Sequence, residues 1–145
     1  MSEQEQEPKP PELEKFDDTP MRDALHAYES GRTTPGDVPA AIMRVGFGEM
    51  IRLTKRAFPE THDDTFLESC GIADLITTCY GGRNRKCAEA FVLKHGTATF
   101  DDIEKELLGG QKLQGVLTSN EVQELLEKWG AEADFPLMTT INRII

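Results

Sequence analysis

The sequence predicts an all-α fold for most of the chain. Three observations support this prediction. From Asp37 onward, apolar residues recur at intervals of three and four, as on a helix face. Residues typical of helix starts and stops separate these periodic segments. No segment alternates convincingly between apolar and polar residues as a strand would.

The first 36 residues have a different composition. Five of the eight prolines lie there, and nine acidic residues stand against four basic ones. Such a segment buries too little apolar surface to offset its ordering entropy. We expect a disordered tail over residues 1–36, followed by a single domain over residues 37–145.

The first helix of this domain is predicted over Val38–Ala57. Asp37 is a plausible N-cap, and Pro39 falls in the first turn, where its missing N–H costs little. Apolar residues occur around much of the helix, so it should be central and largely buried. They are Ile42, Val45, Phe47, Met50, Ile51 and Leu53.

Three further helices follow in the next forty residues of the sequence. The periodicity predicts helices over Asp63–Cys70 and Ile72–Tyr80, with a break near Gly71. The next helix should run from Arg83 to about Lys94 and stop at His95-Gly96, because glycine favours the backbone conformation that ends a helix.

The last three helices are marked mainly by their caps. Thr99 and Asp102 form a capping-box pattern for a helix that should end at Leu108, with Gly109 as its left-handed stop. A second such pattern, Thr118 with Glu121, predicts the start of the next helix. Its apolar stripe before Gly130 consists of Val122, Leu125, Leu126 and Trp129. Phe135–Ile145 is predicted to be a final amphipathic helix.

Charge and cysteine usage exclude several classes of function. The formal net charge of −10 argues against nucleic acid or an anionic membrane surface as a partner. Cys70, Cys79 and Cys87 are not spaced as metal-binding pairs, and we interpret them as buried reduced thiols and expect no metal site. No apolar run is long enough to span a membrane, so we expect a soluble, cytoplasmic protein.

The most informative motif is Gly81-Gly82 followed by the basic start of a helix at Arg83. A helix N-terminus presents unpaired N–H groups and the positive end of the helix dipole, which suits a phosphate. Arg83 could bind phosphate oxygens in a bidentate manner. The same pattern is also typical of a solvated helix start. Residue chemistry alone therefore indicates a small anionic ligand without excluding the simpler interpretation.

Two long segments carry a family resemblance. FLESCGIADLITTCYGGRNRKCAEAF (66–91) and EKELLGGQKLQG (104–115) closely resemble the C-terminal substrate domain of NAD-dependent glycerol-3-phosphate dehydrogenase. The similarity extends from about Ala40 to the end of the chain. It implies an all-α bundle that closes over dihydroxyacetone phosphate while a separate domain holds NAD.

The resemblance also implies roles for individual residues. Arg83 and Asn84 match the pair that holds the substrate phosphate, and Arg83 also contacts the cofactor in the family. Asp74 and Thr78 match polar residues that face the reacting end of the substrate, and we treat them as the candidate catalytic positions.

A second group of implied roles concerns the cofactor. Lys112 and Gln114 match a loop that folds over NAD in the family. Each position also has an ordinary structural explanation: Asp74 could form a salt bridge, Thr78 could bond to its own helix backbone, and Lys112 could be a solvated loop lysine.

The sequence departs from the family in two respects. Pro39 occupies the place of the family's catalytic lysine, and proline has no proton to donate to a carbonyl oxygen. No G-x-G-x-x-G motif occurs in a strand–helix context. We expect resemblance to have ended upstream of Ala40, so that Pro39 marks a boundary.

Three functions therefore remain open. The chain could be the substrate-binding part of a dehydrogenase, inactive by itself, that reduces dihydroxyacetone phosphate with NADH to sn-glycerol 3-phosphate. It could be a catalytically inactive module that binds these phosphates. It could also be a helical interaction domain that pairs with a full-length dehydrogenase subunit or with a second copy of itself.

Overall fold

The computed structural model describes residues 37–145, and within this range the chain is helical with no strand. The predicted all-α class is confirmed. The α-helices of residues 37–145 are α1 (Asp37–Ala57), α2 (Asp74–Gly81), α3 (Arg83–Leu93), α4 (Phe100–Leu108), α5 (Gln114–Trp129) and α6 (Pro136–Ile144). The tail predicted to be disordered, residues 1–36, lies outside the described range.

Helix α1 is less buried than the sequence predicted. Val45 and Glu49 are fully buried, but Ile42 is 38% exposed and the other apolar residues of the helix are only partly covered. The reason is that α1 contacts α6 and α2 without being surrounded by them. It lies at the side of the domain, and the prediction of a central, largely buried helix is wrong.

Arginine side chains join α1 to the end of α5 and to the turn that follows it. The guanidinium of Arg52 donates a hydrogen bond to the Asp134 carbonyl (2.7 Å) and lies over the Phe135 ring. Arg56 lies over the Trp129 ring, 4.9 Å from its centroid. Each arginine thus combines a cation–π interaction with a hydrogen bond to a backbone carbonyl, that of Asp134 for Arg52 and that of Trp129 for Arg56.

The predicted break near Gly71 is confirmed. A 3₁₀ turn (Asp63–Leu67) and a π turn (Ser69–Ala73) replace the first predicted helix, and Gly71 adopts φ −99° and ψ −114°. A Cβ atom at Gly71 would lie 2.6 Å from the carbonyl carbon of Phe66. The close approach of two backbone segments, which only glycine permits, therefore ends one helix and begins the next.

The capping predictions are confirmed at α4 but not at α5. Thr99 and Asp102 form the predicted capping box, and Gly109 ends α4 in the left-handed conformation (φ 58°). Helix α5 begins at Gln114 rather than near Thr118, which lies inside it. Leu113 is the N-cap residue, and a residue without a polar side chain gives no capping signal in the sequence.

Two small hydrophobic cores hold these helices together. Cys87, Ile103 and Leu113 form the core between α3, α4 and the start of α5. Residues packed around it are Ala90, Phe91, Ala98, Phe100, Leu108 and Val116. The second core joins α5 to α6 and contains Leu126, Ala131 and Phe135, with Leu53, Val122, Trp129 and Met138 around it.

The three cysteines differ in their burial. Cys87 is fully buried in the first core, as predicted, and burial raises the pKa of its thiol. Cys70 is exposed and Cys79 is only partly covered, so the prediction of three buried thiols is wrong for these two. Cys70 is exposed because it lies on the π turn, outside both cores.

No helix among residues 37–145 is long and apolar enough to span a bilayer. Several large apolar side chains are nevertheless exposed in this part of the chain. The most exposed are Leu93 (72%), Tyr80 (71%), Val92 (69%) and Leu67 (67%).

Candidate ligand-binding site

The start of α3 provides the first element of the site. Gly82 is the N-cap residue in extended conformation (φ −70°, ψ 159°), and no side chain caps the helix. Arg83 and Asn84 lie in its first turn with exposed side chains. This arrangement leaves the N–H groups and the positive dipole end of α3 available to an anion.

The segment before α5 provides the second element. Leu113 is buried in the first core, and its N–H donates a 2.9 Å hydrogen bond to the carboxylate of Glu104 in α4. Lys112 forms ion pairs with Glu104 (2.9 Å) and Asp101 (3.2 Å). The segment is therefore folded back on α4 before α5 begins at Gln114.

These contacts shift the titration of the groups that make them. The Leu113 N–H, and next the Lys112 ammonium, hold the pKa of Glu104 below its usual range. The two carboxylates raise the pKa of Lys112, and the hydrogen bond with Glu104 is the largest single cause. Glu104 and Lys112 are therefore both charged at neutral pH.

The two elements meet at Asn84 and Gly115. A Cβ atom built on Gly115 would lie 2.7 Å from Oδ1 and 3.0 Å from Nδ2 of Asn84, so the amide rests directly against the glycine. Beside this contact, Nη1 of Arg83 lies 3.4 Å from Oε1 of Gln111. The two segments singled out in the sequence thus form one surface, although 28 positions separate Arg83 from Gln111.

Two open cavities adjoin this contact, one of about 240 Å³ and one of about 360 Å³. Both are lined by Asn84, Gly115 and Ile141. The smaller is mainly apolar, whereas the larger adds Gln114, Thr118 and Ser119 to its lining. The site therefore combines a polar rim with an apolar floor, as is common for small-molecule sites.

The predicted catalytic positions lie on α2, next to the start of α3. The carbonyl of Thr78 accepts the Gly82 N–H (2.9 Å), so Thr78 is adjacent to the N-cap of α3. Asp74 lies one turn earlier, at the first position of α2, and is exposed. The hydroxyl that bonds to its own helix backbone is that of Thr77, which donates to the Ala73 carbonyl (2.9 Å).

The predicted cofactor positions differ from each other in the structure. The Lys112 ammonium is held by two carboxylates. Gln114 is the first residue of α5 rather than part of a loop, and it lines the larger cavity. The description of both residues as loop positions is therefore wrong for Gln114, because the helix starts earlier than the capping pattern suggested.

Sequence reasoning missed two residues that shape the site. Glu104 lies four positions after Phe100 and four before Leu108, on the apolar face of α4. A carboxylate in such a stripe is a recognisable signal for a buried polar contact. Gln111 carried no comparable signal, because only the fold brings it to Arg83.

The described residues contain no group of three or more His, Cys, Asp or Glu side chains arranged to hold a metal ion.

Comparison with protein families identifies the domain. A family model described as the C-terminus of NAD-dependent glycerol-3-phosphate dehydrogenase matches residues 28–145. The match begins twelve positions before Ala40, the predicted start of the similarity. Pro39 thus lies inside the matched region, and the expectation that resemblance had already ended there is wrong.

Individual proteins of known name give the same result. The chain is 50% identical over 117 residues to chloroplastic NAD(+) glycerol-3-phosphate dehydrogenase 1 of Arabidopsis thaliana and 52% identical over 117 residues to the cytoplasmic enzyme of Drosophila melanogaster. Each alignment covers 81% of this chain but only 29% and 32% of the relative. The chain thus spans about a third of the length of these curated relatives.

Solved structures show the same similarity in three dimensions. The DsGPDH structure of Dunaliella salina superposes with a TM-score of 0.72 at 50% identity, covering 88% of this chain and 24% of that one. Glycerol-3-phosphate dehydrogenase of Plasmodium falciparum superposes with a TM-score of 0.70 at 34% identity, covering 88% of this chain and 34% of that one. The chain belongs to the NAD-dependent glycerol-3-phosphate dehydrogenase family, whose C-terminal domain it matches.

Proposed function

We propose that residues 37–145 form one folded domain that holds the phosphate of dihydroxyacetone phosphate or sn-glycerol 3-phosphate, as the substrate-binding part of an NAD-dependent dehydrogenase. Arg83 and Asn84 are the residues assigned to the phosphate. The observation that carries the proposal is the contact of Asn84 with Gly115, which brings the starts of α3 and α5 together.

The electrostatics of this position favour an anion. Neither α3 nor α5 has a side-chain cap, so two positive dipole ends lie next to one another. The Arg83 guanidinium adds a full positive charge in a geometry that suits phosphate oxygens. In a chain with a net charge of −10, such a local concentration of positive potential is a specific feature.

The remaining site residues are assigned around the phosphate. Asp74 and Thr78 lie one helical turn apart on α2 and would face the reacting end of the substrate. Arg83, Lys112 and Gln114 would contact NAD, which supplies the hydride when bound. The exposed side chains of Arg83 and Gln114 fit such a contact, while Lys112 would have to share its ammonium with Asp101 and Glu104.

The 145-residue chain is expected to bind ligand without turning it over. Pro39, at the family's lysine position, is exposed in the first turn of α1 and has no proton to transfer. The described residues also contain no strand on which a dinucleotide-binding sheet could be built.

Calorimetric titration of the chain with glycerol 3-phosphate tests the proposal. We expect Arg83→Ala to weaken binding by about ten- to a hundredfold, the cost of losing charge-assisted hydrogen bonds. Arg85→Ala is the matched control, because Arg85 lies in the same first turn but pairs with Glu89 at 3.4 Å. Absence of saturable binding to a folded wild-type chain, or equal losses in both variants, would refute the assignment.

A second candidate function is association with a dehydrogenase subunit or with a second copy of this chain. Val92 and Leu93, at the end of α3, are 69% and 72% exposed, and neighbouring exposed apolar residues commonly mark interaction surfaces. Sedimentation of the chain alone and mixed with an intact dehydrogenase tests this, with Val92→Ser/Leu93→Ser as the variant. Monomers in both samples would exclude this candidate.

We further propose a cytoplasmic location, as in the Drosophila relatives named cytoplasmic. Cell fractionation tests it, and recovery of the chain in an organelle fraction would contradict it.

A further inference from the structure

Helix α4 contains a buried carboxylate to which neither the cofactor nor the substrate role assigns a function. Glu104 is only 5% exposed and follows Ile103, which is completely buried. Burial of a charge is costly unless it is paired and hydrogen-bonded. The partners of Glu104 therefore indicate what its burial achieves.

Both partners belong to the segment that leads into α5. One carboxylate oxygen accepts the Leu113 N–H at 2.9 Å, and the other lies 2.9 Å from Nζ of Lys112. Asp101, one turn earlier on α4, holds the same ammonium at 3.2 Å. Because the Leu113 side chain is itself buried, this residue is fixed through both its backbone and its side chain.

Leu113 lies midway between the two contacts that build the ligand site. Two residues before it, Gln111 contacts the guanidinium of Arg83. Two residues after it, Gly115 supports the amide of Asn84. A shift of the backbone at Leu113 would therefore displace both contacts at once.

We propose that Glu104 is a positioning residue: its carboxylate fixes Leu113 and thereby sets the distance of Gly115 from Asn84 and of Gln111 from Arg83. Glu104 does not touch the ligand. The inference rests on the proposed function only where ligand affinity is the readout, because the position of the Asn84 amide can be measured without any ligand.

The test compares three variants of the full chain. Glu104→Ala removes the acceptor of the Leu113 N–H, whereas Glu104→Gln keeps one oxygen in its place. Glu106→Ala is the matched control, because Glu106 is exposed on the same helix and pairs with Lys94 outside the site. The readouts are the NMR resonances of the Asn84 side-chain amide and the calorimetric affinity for glycerol 3-phosphate, both at a temperature at which circular dichroism shows folded protein.

We expect Glu104→Ala to shift the Asn84 amide resonances and to lower the affinity about tenfold, the usual consequence of losing one well-placed polar contact. Glu104→Gln should restore the resonances and bring the affinity within about threefold of wild type, and Glu106→Ala should leave both unchanged. Rescue by glutamine separates positioning from a general loss of stability.

Unchanged Asn84 resonances in a folded Glu104→Ala variant would overturn the inference, as would equal shifts in the Glu106→Ala control. If the wild-type chain binds no glycerol 3-phosphate, the proposed function fails while the NMR comparison still decides the role of Glu104. If the alanine variant does not fold, Glu104→Met, which fills similar volume without a comparable acceptor, takes its place with the same expected shift.

Discussion

Substitution of Gly115 by alanine should separate ligand binding from stability. The added Cβ would lie 2.8 Å from Cγ of Asn84, and 2.7 and 3.0 Å from its amide oxygen and nitrogen. Ordinary contact between carbon atoms begins near 3.5 Å, so the amide must retreat by roughly 0.7 Å. Because this amide is the end of an exposed, flexible side chain, it can move without disturbing either core.

We expect the substitution to weaken ligand binding without lowering the stability of the fold. Alanine at this helical position is favoured over glycine by up to about 1 kcal/mol, so the free energy of unfolding should stay the same or rise. Displacement of Asn84 should meanwhile weaken phosphate binding by about ten- to a hundredfold, the range expected when one or two hydrogen bonds lose their geometry.

Calorimetry with glycerol 3-phosphate and urea denaturation measure the two effects on the same samples. Gly46→Ala is the control, since its Cβ would lie 3.4 Å from Leu137 in α6, away from the ligand site. The Gly46→Ala variant should gain a similar stabilisation from helix propensity and bind glycerol 3-phosphate as tightly as wild type. If Gly115→Ala binds as tightly as wild type, the contact between Asn84 and Gly115 does not hold the phosphate and the reasoning is wrong.

Three further predictions concern stability. Gly71→Ala should lower the free energy of unfolding by at least about 2 kcal/mol in urea titrations, because the added Cβ would clash with the backbone of Phe66. A loss below about 0.5 kcal/mol would contradict this. Thr99→Ala should cost about 1 kcal/mol by removing the cap bonded to Asp102 at 3.2 Å, and an unchanged midpoint in thermal melts would disprove it. Burial raises the pKa of Glu49 in the folded protein. Protonation of this carboxyl therefore favours the folded state, and the stabilisation is complete below the usual glutamate pKa of about 4.3. The stabilisation is lost as pH rises through the raised pKa. Urea titrations from pH 4 to 8 should therefore show wild type losing stability relative to Glu49→Gln as pH rises, whereas a difference independent of pH would refute the assignment.

The sequence was sufficient to predict the parts of the fold that depend on local chemistry. The capping box at Thr99 and the left-handed stop at Gly109 involve residues close together in the chain, and both are present. The break at Gly71 was also predicted. The start of α5 was not, because Leu113 becomes a cap residue through burial and the distant Glu104 carboxylate, and no local pattern records such a contact.

The ligand site shows the same division. Arg83 and Asn84 could be proposed as phosphate-binding residues from the glycine-rich helix start and from family resemblance. Their contacts with Gln111 and Gly115 could not be identified, since they depend on how α3 and α5 pack. The partial exposure of α1 could not be predicted for the same reason. The apolar periodicity of α1 shows which of its residues could be buried, but the number of helices packed against it decides how many are buried.

The N-termini of helices α2 to α6 fall into two groups, according to whether a side chain satisfies their N–H groups. The α4 N-terminus is capped by Thr99, and the α6 N-terminus is satisfied by the buried carboxylate of Glu49, which accepts the N–H groups of Leu137 (2.7 Å) and Met138 (2.8 Å).

The N-termini of α2, α3 and α5 have no side-chain cap. Helix α2 continues directly from the π turn Ser69–Ala73, whereas the starts of α3 and α5 meet at Asn84. Glu104 could have capped α5, but its carboxylate binds the N–H of the N-cap residue itself and not those of the first turn. A side-chain cap at the start of α3 or α5 would increase the stability of the fold, so selection for stability alone would favour one at each position. The convergence of two uncapped helix starts next to an arginine favours the proposed phosphate site at this position.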